Sequence, residues 1–376
     1  MEKSDQPLSR RILFLSNCNN YHTLKWVSYF AGAGFDVHVA SLEAPRPGNA
    51  GETKGVTVHW LANGSARLGA EIQKIGYMKT VSQVRQLIAK LDPDIVHAHY
   101  ASSYGTICSL ACERPYYLSV WGSDVYDFPQ KSPLHRALIK HSLAKATWIM
   151  STSEAMAEET RKYTDKDIAI TPFGVDVDLF NPNKASAHDG FLVGTVKGLE
   201  RKYGIETLLH ACAAVHKRNP DLRLRVRIAG TGTLEGHLHA VARELDMDGY
   251  VDWLGFISQE QAACEWASFD VALVPSESES FGVSAVEAQA SGTPLIITDI
   301  PGLMEACDGG GTAVVVPRGD ADALASAIES LANDSNKRKA MSQNGRDYIV
   351  KSYEYKKCFA HIRGIYESHK SVRKQR

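Results

Sequence analysis

Short apolar runs rich in β-branched residues alternate with longer amphipathic stretches along most of the chain. In the first half the runs predict strands at 11–15, 35–40, 56–60, 94–98, 116–120, 147–150 and 167–170. The stretches between them predict helices at 21–33, 72–91, 104–111 and 133–145. The second half repeats the theme, with strands expected at 191–196, 224–229, 250–254, 269–274, 294–298 and 312–316. From Asn336 the chain reads as helical and strongly charged. Strands that alternate with helices imply parallel sheets covered by helices on both faces.

Between the halves, Pro172, Gly174, Asn181, Pro182 and Asn183 crowd together, which marks a linker at about 171–188. A chain of 376 residues is long enough to split into two α/β domains. The expected organisation is an N-terminal domain over 1–175, a second of similar layout over 176–350, and a terminal helix over 351–376 that returns to the first. Two such domains would face a cleft, and ligands of such sheets sit at the carboxyl ends of the strands.

Composition changes this picture little. The hydrophobic fraction is 44%, and 42 basic against 43 acidic side chains leave a net charge of −1, which gives nucleic acid no general attraction. No apolar run approaches the ~20 residues of a membrane span. Basic residues precede Ile12–Leu15 as in a signal peptide, but that stretch is too short for an h-region and reads as the first strand. Seven cysteines without a CxxC pair fit reduced thiols and a cytoplasmic protein. Cys108 and Cys112 could touch on one helix, where two small core residues is the preferred reading.

The most informative stretch runs from Phe269 to Pro294. A buried strand ends at Pro275, a polar loop follows, and a helix is expected to open near Phe281 with Ser280 as its N-cap. Val283, Val286 and Ala290 would bury one stripe of that helix. Its first turn offers free backbone N–H groups and partial positive charge, a seat for a diphosphate, and Gly282 would allow close approach. Glu287 lies roughly 9 Å further along the axis, near the distance from a nucleotide's phosphates to its ribose hydroxyls. Glu279 precedes the helix, where a sugar would sit. Taken singly, both glutamates read equally well as solvated carboxylates, Glu279 merely favoured by the helix dipole.

The whole string resembles the E-x7-E signature of retaining GT-B glycosyltransferases of family four, with Glu279 and Glu287 as its glutamates and Ser-Phe-Gly, Glu-Ala and Ser-Gly-Thr-Pro flanking them. The resemblance spans residues 10–365 and implies two Rossmann-like domains with the donor held mainly by the second. It implies that Glu287 holds the ribose, while Glu279 and the backbone of Ser280, Phe281, Gly282 and Val283 hold sugar and phosphates. The segment from Val193 to Leu209 is similar to the family's donor-phosphate loop, but it is longer, and Tyr203 stands where Lys is usual. The catalytic phosphate role therefore falls to Lys202 and Arg201, with Lys197 as a further donor contact. Gly230 and Gly232 match the nucleotide-side loop, and Phe256 and Ile257 the segment that flanks the base.

The N-terminal half matches less sharply. Asn17–His22 replaces a Gly-Gly turn, and Trp121 replaces a His, so that residue's role does not carry over. His97 and His99 lie on the strand leading to the acceptor, and only one of them is expected to face the ligand. His99 and Asp124 are the acceptor-side candidates. Asp-x-Asp pairs at 92–94, 176–178, 246–248 and 320–322 read as caps and turns, so no metal is expected. The expected reaction is retaining hexosyl transfer from a nucleoside diphosphate sugar, UDP ahead of GDP, to a hydroxyl of a glycan, glycolipid or small molecule. The rivals are a GT-B epimerase and a non-catalytic nucleotide-sugar-binding subunit. From Gln130 to Ser153 no acidic residue occurs, while Lys131, Arg136, Lys140 and Lys145 recur beside Leu134, Leu138 and Leu143. That segment reads either as a peripheral contact with anionic membrane or as an ordinary solvated face.

Overall fold

The computed structural model describes residues 10–61 and 70–369. The first nine residues and 370–376 of the expected terminal helix therefore lie outside the described residues. The chain forms two compact units, one up to Thr171 together with the residues from Phe359 onward, the other from Pro172 to Cys358.

The first unit carries seven strands, β1 (Arg11–Leu15), β2 (Asp36–Ser41), β3 (Val56–Trp60), β4 (Ile95–His99), β5 (Tyr117–Val120), β6 (Trp148–Ser151) and β7 (Ile168–Ile170). They form one parallel sheet in the order β3-β2-β1-β4-β5-β6-β7. Leu13, Phe14 and Leu15 of the central strand are wholly buried, as a sheet covered on both faces requires. Phe35 precedes its strand instead of opening it. Gly34 takes φ 85° after the helix Tyr21–Gly32, and its N–H and that of Phe35 return to Ala31 and Phe30 carbonyls, a Schellman cap. The helix Tyr355–Ser368 contributes Phe359 and Tyr366 to this unit. Phe359 meets Trp26 edge-on at 5.2 Å, and the Tyr366 hydroxyl lies 2.5 Å from His97 Nδ1.

The second unit carries β8 (Phe191–Val196), β9 (Leu224–Ala229), β10 (Val251–Gly255), β11 (Val271–Val274), β12 (Leu295–Thr298) and β13 (Val314–Val316), again all parallel, in the order β10-β9-β8-β11-β12-β13. Leu224, Val226 and Ile228 alternate into the core, while Arg225 and Arg227 point the other way and pair with Asp252 and Glu265. Both sheets thus have the doubly wound order, and in each the strand order reverses beside the first strand of the unit. In the second unit that switch point lies between β8 and β11, and open α/β sheets place ligands outside the carboxyl ends of the strands there.

Among the described residues no helix is long and apolar enough to cross a membrane.

Candidate functional site

Two loops leave the switch point of the second sheet, 197–204 after β8 and 275–282 after β11. They meet through a charged pair. Lys197 Nζ lies 2.7 Å from Glu279 Oε2 and 3.2 Å from Ser284 Oγ, with both charged side chains about nine-tenths buried. Ser284 Oγ also donates to the Val196 carbonyl at 3.3 Å. A buried ammonium and carboxylate that satisfy one another are fixed in place, since either alone would be costly.

The helix after this loop is Val283–Ala290, two residues later than its expected opening. Its N-cap is Gly282 at φ 88°, with no side-chain cap, so Ser280 does not cap it. The left-handed glycine turns the chain between Phe281, which is buried, and the first helical residue. A Cβ on Gly282 would stand 2.8 Å from Leu303 Cδ2. Burial is not confined to one stripe: every residue from Ser284 to Ala290 is buried, as for a helix enclosed in the unit's core. Glu287, the fifth helical residue, is 8% exposed, and Trp266 Nε1 donates to its Oε2 at 3.3 Å.

Gly230 and Gly232 act on loop packing. Gly230 has φ 136°, and a Cβ there would fall 2.0 Å from the Lys197 carbonyl oxygen. A Cβ on Gly232 would fall 2.3 Å from the Leu199 carbonyl oxygen. The loop after β9 is stitched to the loop after β8 by Lys197 N–H to Ala229 O, Leu199 N–H to Thr231 O and Leu234 N–H to Leu199 O. The glycines therefore set the height of the backbone that carries Lys197.

Arg201 and Lys202 are exposed on the 3-10 turn Arg201–Tyr203. Arg201 lines a cavity of about 550 Å³ together with His210, His237 and Glu277. Neither forms the contact with Glu279 that Lys197 makes. Phe256 is 84% exposed and Ile257 half-buried, so Phe256 is not a core residue. Ser284 and Trp266 are site residues that motif reading missed. Ser284 sits inside the quoted string as a polar residue in the first helical turn, which is a usable signal. Trp266 is 21 positions from Glu287 in another helix, and no spacing rule connects them.

In the first unit, His97 and His99 do not divide between two faces. Residues two apart on a strand share a face, and their rings lie 4.7 Å apart. Both are buried. His97 Nδ1 and Nε2 meet the Tyr366 and Ser119 hydroxyls at 2.5 and 2.8 Å, and burial pulls its pKa down to about 3. His99 Nδ1 meets Ser16 Oγ at 3.0 Å, its ring lies 4.4 Å from Trp121, and burial with neighbouring His97 and His22 holds it well below the usual imidazole range. Asp124 is wholly buried and accepts backbone N–H bonds from Ala101 at 2.8 Å, Gly122 at 2.8 Å and Trp121 at 3.1 Å. Burial raises its pKa against the opposing pull of these donors. This geometry makes Asp124 a brace for the turn after β5.

Asp320 caps the helix Ala321–Asn333, Asp176 accepts the Asp178 and Leu179 N–H groups, and Asp94 accepts that of Arg11. Among the described residues no group of three or more His, Cys, Asp or Glu is placed to hold a metal ion.

Two family models match the chain, "Glycosyl transferase 4-like" over residues 11–153 and "Glycosyl transferases group 1" over residues 177–348. A D-inositol 3-phosphate glycosyltransferase of Pseudarthrobacter chlorophenolicus is 29% identical over 359 residues, covering 86% of this chain and 84% of the relative. Among solved structures, sucrose-phosphate synthase from Thermosynechococcus elongatus superposes with a TM-score of 0.82 at 20% identity, covering 96% of this chain and all (100%) of the other. HepE of Anabaena, in complex with UDP and glucose, superposes with a TM-score of 0.76 at 17% identity over 96% and 100% of the chains. These likenesses show a GT-B fold of two Rossmann-like domains.

Proposed function

This chain belongs to the group 1 glycosyl transferases, and we propose that it moves a sugar from a nucleoside diphosphate sugar to an acceptor hydroxyl with retention of configuration. The observation that carries this reading is the Lys197–Glu279 pair at the switch point of the second sheet, in the loop that leads into the helix carrying Glu287.

In this reading the diphosphate lies against the N-terminus of Val283–Ala290, whose first N–H groups lack intrahelical partners. Lys197 offers its ammonium to the phosphates, and Glu287 accepts the ribose hydroxyls. Glu279 accepts hydroxyls of the transferred sugar. As the bond from the anomeric carbon to the phosphate oxygen breaks, negative charge gathers on the diphosphate, where a fixed ammonium and helix dipole stabilise it most. The acceptor oxygen forms the new bond from the same face, and its proton passes to the departing phosphate. Retention rests on the family resemblance, as does independence from a divalent ion. The complex of HepE with UDP and glucose supports UDP as the first nucleotide to test. The likeness to a D-inositol 3-phosphate glycosyltransferase makes inositol phosphate the first small acceptor to test.

The test is product formation from UDP-, GDP- and ADP-sugars, first alone and then with acceptor. Transfer that needs acceptor supports the reading. Conversion of the donor alone identifies an epimerase, and binding without turnover under either condition identifies a non-catalytic subunit. Thermal shift selects the donor beforehand, since a ligand bound only by the native state raises its stability.

A further inference from the structure

The loop after β8 places an aromatic ring beside its basic residues. Lys197 Nζ lies 4.4 Å and Lys202 Nζ 5.3 Å from the centroid of Tyr203. Both fall within the ~6 Å at which a ring face attracts a cation. The ring is anchored, because Tyr203 is partly buried and packs against the core of the second unit. On its other flank the loop closes in, and a Cβ on Gly198 would meet Tyr203 Cε2 at 3.5 Å.

The same turn is tied to the loop that carries Glu279. The Glu277 and Ser278 N–H groups donate to the Lys202 carbonyl at 2.8 and 3.3 Å. Gly204 follows at φ 66°, and a Cβ there would fall 2.0 Å from the Pro275 carbonyl oxygen. Ring, lysine stems and the Glu279 loop therefore form one connected piece. Lys197 is already held against Glu279, whereas Lys202 is exposed on a flexible four-carbon stem that has many other rotamers to occupy and is repelled by the Lys197 ammonium. The Tyr203 ring, within cation–π distance of both ammonium groups, works against that dispersal.

We propose that Tyr203 is a positioning residue whose ring gathers the Lys197 and Lys202 ammonium groups at one place, ready for the donor's diphosphate. This rests on the reading of the site as a donor-phosphate site. Tyr203 acts through the lysines and touches no reacting atom, so its removal should be felt by phosphate and not by the nucleoside.

UDP, GDP and ADP are titrated into the protein by calorimetry, each beside its nucleoside, and the tightest diphosphate is carried forward. Tyr203→Leu is expected to weaken that diphosphate about three- to tenfold and leave the nucleoside unchanged. Tyr203→Phe, which keeps the ring face, is expected to rescue the loss. Adding Tyr203→Leu to Lys197→Ala should cost less than it does alone, because the ring acts through that lysine. Equal weakening of diphosphate and nucleoside overturns the proposal, as does a Phe variant as weak as the Leu variant. Lost binding in Lys197→Ala beside intact binding in Tyr203→Leu overturns it while the donor-phosphate reading stands. Intact diphosphate binding in both Lys197→Ala and Lys202→Ala removes that reading itself.

Discussion

The Trp266 indole N–H donates to the Glu287 carboxylate at 3.3 Å, and both side chains are buried. The glutamate is thereby oriented by a neighbour that a ligand cannot displace by simple solvation. Glu287→Ala is expected to weaken nucleoside diphosphate binding about ten- to a hundredfold, the equivalent of one charge-assisted hydrogen bond. Trp266→Phe should retain the fold, weaken the same ligand less, and lower stability by about 1–3 kcal/mol through the carboxylate's lost donor. Calorimetry and urea unfolding check both. Unchanged affinity in a folded Glu287→Ala protein would remove Glu287 from the ribose.

The basic loop yields a ranking. Lys197 is buried against Glu279, while Lys202 is exposed. Lys197→Ala should therefore depress kcat more than Lys202→Ala, with the larger effect on turnover than on donor affinity, because charge builds on the leaving group only in the transition state. Steady-state kinetics with the selected donor decides the order. A larger loss in Lys202→Ala would return the main role to the residue first read from the motif.

Chelation is a separate check. Turnover is expected to survive excess EDTA, because Asp320, Asp176 and Asp94 of the Asp-x-Asp pairs are each occupied by backbone N–H groups. Loss of turnover that Mg²⁺ or Mn²⁺ restores would place a metal in the reaction.

His97 makes stability depend on pH. Its folded pKa is about 3, against an ordinary value of 6.5. The unfolded chain then binds the additional proton between these values, so this group's contribution is complete above about 6.5 and is lost as pH falls toward 3. Unfolding free energy measured in urea should fall with acid through that window. His97→Gln is expected to flatten the slope, and an unchanged slope would assign the acid sensitivity to other groups.

The helix Pro133–Lys145 exposes Leu134 at 67% and also exposes Arg136, Lys140 and Lys145. Liposome flotation should show salt-sensitive binding to anionic vesicles, reduced by Arg136→Glu with Lys140→Glu. Absence of binding at low salt leaves a solvated helix face.

Much of this protein was legible along the chain because the information is local. Apolar runs such as Leu13–Leu15 must be covered on both sides, so alternation with helices already dictates parallel sheets of the doubly wound kind. Glu279, Gly282 and Glu287 share one loop and helix, and their spacing is set by backbone geometry alone. Which cation meets Glu279 is not local. Lys197, Arg201 and Lys202 lie on one loop and differ little in chemistry, and only the close packing of glycines against the Lys197 and Leu199 carbonyls selects the height at which Lys197 reaches across. Trp266 reaches Glu287 through packing of two helices, and Asp124 turns inward because three backbone N–H groups converge on it. Such partners are chosen by the burial of polar atoms, which must find hydrogen bonds wherever the fold brings them, and that condition is set only once the chain has closed around them.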